Sequence, residues 1–335
     1  MRGLIPLVVL AALATAAGAA PAPQRVYGDI DWISWGPGSA ILFDATGLYS
    51  VRADGSGLHK LAPPAAHPVW APDGTGIAAD VGDYPGSIVV MNADGSGAHS
   101  VRKPGMYPVW SPSGDRIGFT TGRRILVMNA GGSAVGKVAA LRWGQDPFRE
   151  LDWSPDGSRL VFSQCLRFIR EGDLCEGRRA GIFTASAGEA LGPTRKIATQ
   201  TDCPDWAPSR RIAAGSLGTI RTLEPDGSQS RVAIPRPEAC GAWSPNGRVL
   251  AAATHGAVIL TKADGSARWR LTRLPPPPFN LASPVAPAPA WSADGKWIAV
   301  ARTVGNPERG TSSRIYVIRV RTGRKRVIVR TPFSG

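Results

Sequence analysis

Short apolar runs alternate with turn-forming clusters along the whole chain. Runs such as 88–91 (Ile-Val-Val-Met), 125–128 (Ile-Leu-Val-Met) and 315–318 (Ile-Tyr-Val-Ile) are four residues long and rich in β-branched side chains. That is strand length, and the composition suits strands buried on both faces. Gly-containing turn clusters, often Asp-Gly or Pro-Asp-Gly, recur between the runs. The Ala-Asp-Gly-Ser sequences at 53–56, 93–96 and 263–266, with Pro225-Asp226-Gly227-Ser228 as a variant, read as tight hairpin turns. The pattern predicts many short antiparallel strands and no long helix.

The pattern also repeats. Trp, a small residue, Pro, Asp and Gly recur at Trp70-Ala71-Pro72-Asp73-Gly74, at Trp153-Ser154-Pro155-Asp156-Gly157 and, with Ser or Asn for Asp, at Trp110 and Trp243. Trp291-Ser292-Ala293-Asp294-Gly295 replaces the Pro. Trp206 and Trp35 open degenerate copies. These seven tryptophans stand 35 to 53 residues apart, the period of a four-stranded propeller blade. The expected fold is therefore all-β, a seven-bladed β-propeller. Six blades, with the Trp35 unit folded otherwise, is the alternative. The units are expected at about 28–62, 63–104, 105–141, 148–199, 200–235, 236–273 and 286–331. A Trp in each unit is expected to pack one blade on the next, because an indole buries roughly 200 Å².

The repeat resembles the TolB-type β-propeller repeat, with its Trp-Ser-Pro-Asp-Gly turn, its apolar third strand and its Asp-Gly turn, over residues 28–331. The resemblance covers the propeller without the N-terminal α/β domain of TolB itself. It implies a cell-envelope scaffold that docks a partner across the channel mouth. Some propeller lyases acting on polyanionic sugars also resemble this repeat family, and propeller peptidases carry their catalytic Ser on a separate domain.

Composition narrows the picture. The chain has 335 residues, 43% apolar and 19% charged, which excludes a disordered tail. Arg2, the apolar stretch 4–13 and Ala17-Gly18-Ala19 read as an export signal over 1–19, followed by a linker at 20–27. Beyond it, no apolar run reaches the ~20 residues of a membrane helix. An exported chain, in the periplasm, cell envelope or outside the cell, makes the four cysteines read as disulfides. Cys165 and Cys175 bracket one loop. Cys203 and Cys240 each stand three residues before a repeat Trp, in neighbouring units. The expected pairs are therefore 165–175 and 203–240.

The net charge of +14 comes mostly from Arg and is spread along the chain. Nucleic acid is not an expected partner of an exported chain; anionic envelope polymers would feel the charge. The reading is of a monomer without cofactor.

Alternation of strand direction puts the tight turns on one face and the long segments 80–86, 164–180, 275–287 and 303–314 on the other. Long loops on a rigid scaffold carry binding. Arg167, Phe168 and Arg170, in the loop between Cys165 and Cys175, are the first binding candidates. Three residues before each Trp stand Trp32, His67, Tyr107, Glu150, Cys203, Cys240 and Ala288, expected to line the channel mouth. His67, Tyr107 and Glu150 would be adjacent polar groups there, the second set of candidates. His59, His99 and His255 occupy dissimilar positions, so no metal site is expected. No Gly-x-Ser-x-Gly or His-Glu-x-x-His motif occurs, and no catalytic residue is assigned. The expected function is non-catalytic binding of an envelope protein or glycan on the long-loop face. The alternative is a lyase or hydrolase acting on an acidic polysaccharide in the channel.

Overall fold

A computed structural model describes residues 22–83, 86–140, 150–165, 180–188, 192–199, 202–216, 218–235, 237, 240–276, 287–306 and 310–333. Seven antiparallel sheets make up the described residues, each with its four sequential strands in spatial order. Blade 1 runs from Ile33–Trp35 to His59–Ala62, blade 2 from Ala66–Trp70 to His99–Arg102, and blade 3 from Met106–Trp110 to Gly136–Ala140. Blades 4, 5 and 6 begin at Leu151–Trp153, Asp202–Trp206 and Ala242–Trp243. Blade 7 begins at Ala290–Trp291 and ends at Lys325–Arg330. The first strand of each blade lies against those of its neighbours, and the ring closes where Ala290–Trp291 meets Ile33–Trp35. This is the seven-bladed β-propeller; the six-blade alternative fails because Ile33–Trp35 opens a complete four-stranded sheet.

The core lies between blades. Trp153 packs against Ile125 and Val127 of blade 3 as well as Leu160 and Phe162 of its own blade. Its Nε1 donates to the Val109 carbonyl (3.1 Å), and the Arg116 guanidinium covers its ring at 4.8 Å. Trp243 and Trp291 donate likewise to Asp205 O and Ala242 O of the preceding blade. Trp35, closing the ring, packs with Ala299, Ile315 and Val317 of blade 7. At ~25 cal/mol per Å², an indole of roughly 200 Å² contributes at most about 5 kcal/mol. Gly36 is needed for one such approach, since a Cβ there would lie 2.3 Å from the Trp70 indole.

The repeated turns are self-contained. Ser154 Oγ donates to Asp156 Oδ1 (2.6 Å) and accepts from the Arg159 amide (2.9 Å); the Ser158 amide donates to the same carboxylate oxygen (3.0 Å). Ser244 with Asn246 and Ser292 with Asp294 repeat the arrangement. Each Asp or Asn thus satisfies backbone donors that the turn would leave open.

Two expectations need correction. Residues 303–314, read as an irregular loop, prolong a hairpin: Trp297–Asn306 pairs with Gly310–Arg319 in unbroken register from Trp297↔Arg319 to Asn306↔Gly310. The Thr and Ser residues there sit well in a two-stranded ribbon, and Ser312 and Ser313 are buried and bonded to Thr331. Gln24–Arg25, placed in a linker, is a fifth strand of blade 7, parallel to Lys325–Arg330. Val26 and Ile30 are buried behind it and anchor this segment. The proposed export signal lies outside the described residues, as do the loop residues 166–179.

Candidate functional site

The inner ring, where the first strands of neighbouring blades meet, carries one recurring backbone irregularity. In blades 2, 3 and 5 the ladder between the first two strands shifts register between Ala66 and Val69, Met106 and Val109, and Asp202 and Asp205. The residue inside each shift has a positive φ: His67 at 50°, Tyr107 at 52° and Cys203 at 50°. Each is followed by Pro, which cannot donate to the ladder and is tolerated at a bulge. Non-glycine residues rarely adopt this region. Its threefold use, at the position three before Trp, re-aims that side chain relative to a regular strand.

The expected neighbours do meet. Trp32 and His67 rings lie 5.1 Å apart, edge to face, and His67 and Tyr107 rings 4.0 Å apart. Three aromatic rings from three consecutive blades thus form a continuous row. Asp80, in the second strand of blade 2 and largely buried, fixes it. Its Oδ1 accepts from His67 Nδ1 at 2.8 Å and from the Tyr107 amide at 3.3 Å.

Carboxylates surround this row. Asp44, at the same register in blade 1 as Asp80 in blade 2, accepts from the Trp32 amide at 2.7 Å and the Asp31 amide at 3.1 Å. Burial pushes its carboxyl up to about 6, against the lowering effect of those amides and of nearby His67. Asp31 is raised by burial and by Asp29, with His67 again opposing.

The opposite arc differs. Glu150 precedes the first strand of blade 4, and its Oε1 lies 3.6 Å from Cys240 Sγ. Cys203 and Cys240 are joined by a disulfide with Cα atoms 5.5 Å apart, linking blades 5 and 6. A disulfide sulfur has no proton, so the Glu150 approach is a contact and not a hydrogen bond. His67 and Tyr107 are therefore together, whereas Glu150 touches the disulfide.

Just behind this arc two acids are buried side by side. Asp152 accepts from the amides of Trp153 (2.8 Å) and, in the next blade, Trp206 (2.6 Å). Asp205 accepts in turn from the amide of Trp243 (2.6 Å). Burial raises both carboxyls, and for Asp152 the nearness of Asp205 adds to it. For two coupled carboxyls so shielded from water, holding one proton between them costs less than ionising both. Sequence reasoning passed over Asp152 and Asp205, as it did Asp31, Asp44 and Asp80. A signal was present: Asp stands immediately before the repeat Trp in blades 4 and 5, where other blades have Ser, Val or Ala.

Arg167, Phe168, Arg170 and Cys175 lie outside the described residues, and Cys165 ends a strand, so the 165–175 pairing has no described geometry. His59 and His99 sit on outer strands, each bonded to a carbonyl two residues before it, and His255 lies in the turn after Val249–Thr254. Among the described residues, the group with metal-ligand spacing is Glu150, Cys203 and Cys240, its ligand atoms within 4.8 Å of one another. No described helix is long and apolar enough to cross a membrane.

In sequence the chain matches no protein-family model and no curated protein. Its fold is similar to that of several solved structures. A puromycin-hydrolysing peptidase of Mycobacterium tuberculosis is 13% identical with a TM-score of 0.66; the match covers 92% of this chain but only 56% of the peptidase. An oligogalacturonate lyase solved in complex with manganese is 12% identical, TM-score 0.62, over 92% of this chain and 86% of the lyase. A putative TolB of Agrobacterium tumefaciens is 15% identical, TM-score 0.51, over 75% of this chain and 94% of that protein. At such identities the likeness establishes one thing, the β-propeller fold that this chain shares with binding proteins and enzymes alike.

Proposed function

We propose that the chain is an exported binding protein that holds a protein or glycan partner at the channel mouth and on the long loops around it. The observation that supports this most is the aromatic row of Trp32, His67 and Tyr107, fixed by Asp80 and set among carboxylates on an otherwise basic protein. Aromatic rings offer flat apolar contact, and the carboxylates attract hydrogen-bond donors and cations. A protein side chain bearing an amine or guanidinium, or a neutral sugar rich in hydroxyls, suits that lining. Arg167, Phe168 and Arg170, which the sequence places in the loop between Cys165 and Cys175, would extend the contact. Export is supported by the Cys203–Cys240 disulfide and by the TolB-like fold.

The second reading, a lyase of acidic polysaccharide, draws on the His67–Asp80 pair, which could take a proton, and on the lyase-like fold. It meets an electrostatic objection. Asp31, Asp44 and Asp80 would repel a polyanion from His67. Manganese, as held by the lyase, prefers oxygen and nitrogen ligands. The described ligand group here contains two sulfurs already bonded to each other, and it does not fit.

Affinity capture from envelope extract separates the readings. The full chain is compared with a His67→Ala/Tyr107→Phe variant and with an Arg167→Ala/Phe168→Ala/Arg170→Ala variant. Loss of one specific partner with either variant supports binding and tells which part of the face holds it. Identical capture by all three sinks it. Turnover of an acidic oligosaccharide by the full chain, lost on His67→Ala, would establish the lyase instead.

A further inference from the structure

Glu150, Cys203 and Cys240 come from three successive blades and converge at one arc of the mouth. We infer that reduction of the Cys203–Cys240 disulfide converts this arc into a zinc site with two thiolate ligands and one carboxylate ligand. The inference does not depend on the partner reading above.

The geometry carries the argument. Zinc takes sulfur at about 2.3 Å and carboxylate oxygen at about 2.0 Å in a tetrahedral arrangement, which sets such ligands roughly 3.5 Å apart. Glu150 Oε1 already stands 3.6 Å from Cys240 Sγ. The three ligand atoms lie within 4.8 Å of one another, so small side-chain rotations bring them onto one ion. The backbones are held independently. Cys203 lies within a strand of blade 5, Cys240 immediately precedes blade 6, and the Glu150 carbonyl accepts from the Ser163 amide. Three protein ligands leave the fourth position open to water or to a ligand in the mouth.

The chemistry balances with a dithiol reductant. The reductant supplies two electrons and two protons, and its own sulfurs join. The Cys203–Cys240 bond breaks to two thiols. Zinc binding then displaces the two thiol protons to water.

The test uses the full chain with Cys165→Ser and Cys175→Ser, so that one sulfur pair remains. Zinc is titrated against a chromophoric competitor before and after dithiol reduction, and cobalt(II) replaces zinc to read thiolate-to-metal charge transfer. Tryptophan near-ultraviolet circular dichroism monitors the ring. The expected result is one zinc per reduced chain and none per oxidised chain. Glu150→Gln should weaken binding at least about tenfold, and Cys240→Ser should weaken it more and diminish the charge-transfer band. Absence of zinc binding after reduction, equal binding by the oxidised chain, unchanged affinity in Glu150→Gln, or loss of the ring on reduction would each overturn the inference.

Discussion

The aspartates of the two faces behave in opposite ways. On the tight-turn face Asp54, Asp73, Asp94, Asp156, Asp226, Asp264 and Asp294 are solvent-exposed. Hydrogen bonds from neighbouring Ser, Thr or backbone groups hold each below the usual carboxylate range. Around the inner ring the carboxyls of Asp44, Asp152 and Asp205 are pushed up, chiefly by removal from water, and that of the exposed Asp31 is raised as well, with Asp29 adding to it. The first set stabilises the turns in its ionised form. The second set is a charge that the fold resists. A residue type repeated identically on one face is there for the fold. The same type placed irregularly, where ionising it is unfavourable, points to a task other than folding.

The contrast can be broken most severely through the packing that both faces share. Trp153→Ala, between blades 3 and 4, should lower unfolding free energy by about 3–5 kcal/mol in urea titration. His67→Ala takes a hydrogen-bond partner from Asp80 and should cost less, about 1–3 kcal/mol, while abolishing partner capture. A mouth variant as destabilising as Trp153→Ala would erase the distinction.

The pH dependence sharpens it next. A carboxyl raised in the folded state lends stability that is complete below the unfolded value near 4 and is lost as pH rises through the folded value. For Asp44 that window runs from about 4 to about 6. Asp44→Asn should remove on the order of 2–3 kcal/mol of stability loss between pH 4 and pH 7. An unchanged profile would mean that Asp44 ionises freely.

The buried pair gives a somewhat smaller effect. Asp152→Ala leaves the Trp206 amide without its acceptor and should cost about 1–3 kcal/mol at pH 7. Asp152→Asn keeps one of the two acceptors, offers Asp205 a donor and removes one charge, so above pH 6 it should cost less than Asp152→Ala. Equal losses in both variants would refute the shared proton.

The smallest effect belongs to a single turn. Asp156→Asn should leave neutral stability close to that of the parent. It should remove only a part of the decline below pH 4, where the native carboxylate takes up its proton. A loss at pH 7 comparable to Asp152→Ala would show that the turn face carries more than its own hydrogen bonds.

The propeller was legible because indole packing between blades demands the same residue at the same register each time. The positions lining the mouth followed from that register: counting three residues back from each Trp places Trp32, His67 and Tyr107 side by side and pairs Cys203 with Cys240. What could not be read was whatever departs from the period. Asp80 reaches from a second strand to the next blade, and Asp152 reaches across to the Trp206 amide; neither contact recurs in the repeat. The Gln24–Arg25 strand pairs with residues some three hundred positions away and is too short to show alternation. The hairpin at 303–314 was hidden by its hydroxyl-rich composition, which reads as loop until pairing is seen.

The Gln24–Arg25 strand also exposes a question of self-association. It shields the margin of blade 7 with main chain, while the other described blades end on bare outer strands. A bare strand is a template for another copy. Each of those six carries cationic side chains: Lys60, Arg102, Lys137, Arg195 with Lys196, Arg231, and Arg268 with Arg270 and Arg273. Like charges would face each other wherever two rings met rim to rim. Part of the surplus of arginine therefore acts as a safeguard for solubility, and neutralising it blade by blade should lead to rim-to-rim aggregation.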